Sequence, residues 1–122
     1  MASSVGFHEN EAILTAATKD RHRALASLQE ELEAIDWYDQ RVDAAEDPDL
    51  KAILAHNRDE EREHAMMVLE WLRRNAPGFE EQMRTYLFKE GPILGLEAAA
   101  TNGGEAASSA GGDGSLGIGS LR

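Results

Sequence analysis

Residues 61–64 read Glu-Arg-Glu-His, and this tetrapeptide is where the chain offers chemistry. A glutamate and a histidine three apart on a helix project the same way, so Glu61 and His64 can hold one metal ion between a carboxylate and an imidazole. The spacing alone is weak evidence. Glu numbers 15 and His 4 in 122 residues, and random shuffling of such a chain gives a Glu-x-x-His pair about every second time. What surrounds the pair has to decide.

Composition narrows the choice. The formal net charge of −11 argues against a nucleic-acid partner, which would be repelled, and suits a surface that handles cations. With no cysteine, the chain is expected to have no disulfide scaffold, iron–sulfur or rubredoxin-type centre, or thiol catalysis. Its N-terminus lacks a basic region followed by an apolar run, and no stretch approaches membrane-spanning length. The expectation is a soluble cytoplasmic protein with no membrane partner.

The elements that must position Glu61 and His64 are helices. From Glu9 to Ala45 there is neither Pro nor Gly, and helix formers dominate. Pro48 ends this stretch, and the acids on either side of it suit the start of a second helix, which runs to about Asn75 and stops at Asn-Ala-Pro-Gly. "FEEQMRTYLFKE" is expected to be a short third helix ending before Gly91-Pro92, and "ILGLEAAA" reads ambiguously, as loop or as one last frayed turn. No strand alternation is found. The fold class is all-α: an antiparallel two-helix hairpin plus a short C-terminal helix, over residues 1–96. Residues 97–114, rich in Gly, Ala and Ser, read as a flexible linker before a terminal peptide, 115–122.

Spacing places the acids inside the hairpin. Alternating steps of 4 and 3 from Leu50 give Leu54, Asn57, Glu61, His64, Val68 and Trp71, a seam with apolar ends and a polar middle. In the first helix the same steps give Leu14, Ala17, Arg21, Ala24, Leu28, Glu31, Ile35, Tyr38, Val42 and Ala45. One carboxylate, Glu31, stands among apolar neighbours. Unpaired charges in a packed stripe are costly, so a purely structural protein has reason to replace them. Counted from Pro48 at the helical rise, Glu31 lies roughly 25 Å up one arm, and Glu61 and His64 roughly 20–24 Å up the other. They meet at one level, while Arg62 falls off the seam.

This is half of a known ligand set. Carboxylate-bridged di-iron sites in four-helix bundles take one Glu from each of two helices and a Glu-x-x-His from each of the other two. One chain supplies one of each. Two copies related by a two-fold axis complete a ferritin-like four-helix bundle and the full ligand set, and their four carboxylates offset two divalent irons. Oxygen and imidazole donors suit Fe(II), Mn(II) or Zn(II).

"EELEAIDWYDQR" (Glu30 to Arg41), "ILAHNRDEEREHAMMVLEWLRRN" (Ile53 to Asn75) and "MRTYLFKEGPI" resemble the encapsulated ferritins, ferritin-like cargo of bacterial encapsulin nanocompartments. The resemblance covers roughly residues 9 to 95. It implies dimers that build a ferroxidase centre at their interface, two irons per interface, with O2 as oxidant. It also implies a ring of such dimers, usually a decamer, inside a cytoplasmic encapsulin shell that collects the mineral. On this chain the matching iron ligands are Glu31, Glu61 and His64, with Glu61 the bridging carboxylate. Tyr38 matches the tyrosine beside the centre. Glu30 and Glu33 match acids that guide metal inward, with Trp37 nearby. The C-terminal Leu116, Gly117, Ile118, Gly119, Ser120, Leu121 and Arg122 resemble an encapsulin cargo-loading peptide.

Blander readings stand beside these. Packing alone explains Tyr38 on the seam, and a solvated acidic face explains Glu30 and Glu33. His22 and His56 fall off the ligand level and read as surface groups or weak secondary metal contacts, and His8 as part of a mobile N-terminus. Trp71, Leu72 and Met66–Met67 read as core or subunit contacts. The functional alternatives to a ferroxidase are a rubrerythrin-like peroxidase, weakened by the missing cysteines and the single motif, and a non-catalytic helical module whose acids bind metal only to join subunits.

Overall fold

The computed structural model of the protein describes residues 6–109, with side chains to residue 101. Among the described residues the secondary structure is entirely helical: a 3-10 turn, Glu11–Ile13, then α1 Ala16–Ala44, α2 Pro48–Asn75, α3 Phe79–Tyr86 and α4 Ile93–Ser109. The chain divides into two compact units, Met1–Pro77 and Gly78–Arg122. The expected 1–96 domain thus comprises the first unit and the start of the second.

The first unit is the hairpin. Pro48 occupies the first turn of α2, where its missing N–H costs nothing. Asp47 caps that turn, its Oδ2 accepting from the Leu50 N–H at 2.9 Å. At the far end Arg73 and Arg74 sit in the last turn of α2, the sign the helix dipole favours. α1 begins later than its uninterrupted helix formers suggest. Asn10 caps only the 3-10 turn, and Thr15 starts the long helix afresh, its Oγ1 accepting from the Thr18 N–H at 3.1 Å. Cap side chains compete with helix continuation, and here two of them break the run.

The packed stripe of α1 follows the expected spacing: Arg21, Ala24, Leu28, Glu31, Ile35, Tyr38 and Val42 are all half-buried, and their neighbours on either side are mostly exposed. On α2 the stripe is rotated slightly. Ala65 and Leu72 are the fully enclosed residues, and Trp71, expected on the seam, is 38% exposed. Arg58 ties the arms together, donating from Nη1 to Asp39 Oδ1 at 3.0 Å.

Two helices cannot enclose a core. Leu25, Leu32, Trp37, Ile53, Met66 and Met67 all remain exposed on the hairpin, Met67 to 58%. A fold with so little buried apolar surface draws little stability from the hydrophobic effect alone.

In the second unit α3 and α4 pack on each other. α3 stops at Tyr86 rather than continuing toward Gly91, because Leu87 is extended and Phe88 takes a left-handed φ of 59°. α4 is a larger departure. It runs helically through much of the stretch expected to be linker, since Leu-Glu-Ala-Ala-Ala is strongly helix-forming and outweighs the glycines that follow. Residues 110–122, including the terminal peptide, lie outside the described residues.

Candidate metal centre

Glu31 sits midway along α1 and Glu61 and His64 midway along α2, and antiparallel packing brings the two levels together. One ligand atom from each of the three lies within 4.8 Å of the others, the one such convergence among the described residues. His64 Nδ1 is 3.4 Å from Glu61 Oε1 and 3.8 Å from Glu31 Oε1. The side chains of Glu31 and Glu61 keep 25% and 24% exposure and His64 keeps 42%, so the group is open to ions on one side. Arg62 points away, donating to Asp59 Oδ1 at 3.1 Å.

The two carboxyls are in tension. A hydrogen bond that the protonated Glu31 carboxyl donates to Glu61 raises the pKa of Glu31 above its ordinary value, partial desolvation and the Glu61 charge add to this, His64 opposes it, and Glu30 contributes a little. Such a cluster is short of positive charge. A divalent cation that takes oxygen and imidazole donors fits it, supplying the positive charge that the cluster lacks.

The other expected site residues fall elsewhere. Tyr38 lies seven residues beyond Glu31 on the same stripe, about 10 Å along the helix axis. Its ring is covered by the Arg41 guanidinium at 5.3 Å. Glu30 and Glu33 are exposed and line a surface cavity of about 590 Å³ together with His8, His22 and Gln29. The N-terminal segment is part of that cavity, since the Phe7 ring lies 4.7 Å from the His22 ring. Sequence reasoning set His8 and His22 aside. The only available signal was the recurrence of His22, Gln29 and Glu33 at helical spacing.

One neighbour was passed over. Glu60, a turn before His64, places Oε1 3.9 Å from His64 Nε2 and Oε2 3.6 Å from His56 Nε2. Its signal was legible as His56, Glu60 and His64 at intervals of four.

This hairpin, with its convergent acids, matches the EncFtn-like family model over residues 6–90. The chain belongs to the EncFtn-like family. This EncFtn-like chain is 62% identical, over an alignment of 126 residues, to the encapsulated ferritin-like protein of Rhodospirillum rubrum, covering 98% of this chain and 90% of that one. It is 52% identical over 99 residues to a ferritin-like protein of Thermotoga maritima, covering 81% of this chain and 87% of the relative. A shorter match, 45% over 51 residues, links it to the encapsulin nanocompartment cargo protein EncC of Myxococcus xanthus, covering 42% of this chain and 39% of that one. A crystal structure of a Nitrosomonas europaea protein superposes with a TM-score of 0.70 at 56% identity, covering 73% of this chain and 98% of the other. Among the described residues, no helix is long and apolar enough to cross a membrane.

Proposed function

We propose that this EncFtn-like protein is a ferroxidase, oxidising Fe(II) to Fe(III) at a di-iron site that two copies of the chain build between them. The observation that carries the reading is the convergence of Glu31, Glu61 and His64 from opposite arms of one hairpin. Fe(II) is the substrate and O2 takes its electrons. Glu31 and Glu61 bind the incoming cation as carboxylates, and the neutral His64 ring lends a nitrogen donor. Glu61 would be the carboxylate shared between two irons.

The exposed apolar side chains of the hairpin support the dimer, because a second hairpin laid against them makes a four-helix bundle with an interior. In that assembly the ligands double to four carboxylates and two imidazoles, balancing two divalent irons. Tyr38 stands on the packed stripe, where a partner chain brings further groups to its level. Glu30 and Glu33, exposed on the adjoining face, collect cations. Such dimers close into a ring, as a decamer, held in a cytoplasmic encapsulin shell through residues 116–122. Similarity to an encapsulated ferritin-like protein and to an encapsulin cargo protein favours that location.

The test is aerobic absorbance after mixing with Fe(II). Glu31→Ala, Glu61→Ala and His64→Ala each remove a ligand twice per site and should drop oxidation to near the uncatalysed rate while helical content is kept. Parent-like rates in all three would refute the reading.

A further inference from the structure

We propose that Glu60 is a positioning residue for His64, holding the imidazole so that Nδ1 is presented to the metal. The inference rests on the reading of Glu31, Glu61 and His64 as metal ligands and adds a residue to it. His64 stands one turn above both Glu60 and Glu61, and the two acids flank opposite edges of its ring. Nδ1 faces inward, 3.4 Å from Glu61 and 3.8 Å from Glu31, and Nε2 faces outward, 3.9 Å from Glu60. An imidazole that gives one nitrogen to a cation must carry its proton on the other. With Nδ1 assigned to the cation, that proton lies on Nε2, and Glu60 is the carboxylate facing it.

At 3.9 Å the contact is electrostatic rather than a hydrogen bond, and a small rotation of the half-exposed Glu60 closes it. His56 stands on the other side, its Nε2 3.6 Å from the second oxygen of Glu60. The three side chains form a ridge along α2, at intervals of four, that ends on the ligand. Glu60 thus favours metal-binding in two ways: it selects the tautomer, and it increases electron density on the inward nitrogen.

Zn(II) is a suitable probe, since it takes the same donors and has no redox chemistry. Its affinity for the full chain is measured by titration calorimetry in the parent, Glu60→Ala, Glu60→Gln and Glu63→Ala, and in each of the first two with His64→Ala added. Glu60→Ala should weaken binding by about tenfold. Glu60→Gln, which keeps an acceptor oxygen for the tautomer and loses the charge, should recover part of the loss. Glu63→Ala, an exposed acid of equal charge on the same helix, should bind as the parent does. In the His64→Ala background, Glu60→Ala should add nothing, because the residue acts through His64. The proposal is overturned if Glu60→Ala binds like the parent, if Glu60→Gln is as weak as Glu60→Ala, or if the loss persists without His64. Failure of the metal reading looks different: His64→Ala itself then binds Zn(II) as tightly as the parent.

Discussion

Glu31 of α1 and Glu61 of α2 meet across the hairpin as hydrogen-bonded carboxyls, and this contact raises the pKa of Glu31. Two like groups from opposite arms at one level oppose the packing that brings them together, unless a proton or a cation lies between them. Removing one charge while keeping the hydrogen bond should therefore help the metal-free protein. Glu31→Gln is expected to raise its melting temperature by a few degrees near neutral pH and to abolish the further rise that Zn(II) or Mn(II) gives the parent. Thermal unfolding with and without metal measures both. A variant less stable than the metal-free parent would contradict the repulsion.

The same tension links metal to assembly. Joining two hairpins gathers four such carboxylates in one place, and a ligand that binds only the joined form pulls the equilibrium toward it. Native mass spectrometry of chelated protein should show mainly monomer and small oligomers, shifting to larger ones on adding Fe(II), Mn(II) or Zn(II). A distribution unmoved by metal would count against a shared site.

The hairpin and the convergence of Glu31, Glu61 and His64 were legible in the sequence because both rest on local rules. Pro48 and Asp47 mark the turn, and Glu31, Glu61 and His64 recur in step with the apolar seam. What escaped was set by competition between such rules. Thr15 captures the start of α1 although the preceding residues form helices well, and α4 extends through glycines because Glu97 to Ala100 favour helix. The rotation that encloses Leu72 and exposes Trp71 comes from how the arms pack, and period counting cannot resolve adjacent apolar positions. Glu60 escaped for another reason. An exposed acid in an acidic helix gains meaning only when its oxygens are seen to face two imidazoles.

A pH signature is expected away from the metal. Glu70 accepts from Arg73 at 2.8 and 2.7 Å and from Arg74 at 2.7 Å, and these bonds, chiefly those of Arg73, lower its pKa from the ordinary 4.5 to about 2. A depressed carboxyl contributes stability that is present above its unfolded value and lost as pH falls through its folded one. The parent should therefore melt above Glu70→Gln from neutral pH down to about 4.5, with the gap closing toward pH 2. Solvent screens this exposed cluster, so the gap should be small and shrink in high salt. A gap independent of pH would contradict the assignment.

The C-terminal peptide is testable by co-expression. Leu116, Ile118 and Leu121 are separated by small residues, an arrangement that suits an extended peptide whose apolar side chains enter pockets on a partner. Deleting residues 115–122 should leave Fe(II) oxidation intact and abolish co-purification with an encapsulin shell. Equal loading of the truncated chain would remove the targeting role.

The central claim is that two chains build one iron site. Its most direct test is anomalous diffraction at the iron edge from crystals of the full chain grown with Fe(II). The account predicts a pair of iron peaks between two protomers, related by a two-fold axis, with Glu31, Glu61 and His64 of both chains as ligands. Iron held by the residues of a single chain, or no iron at Glu31, Glu61 and His64, would contradict it.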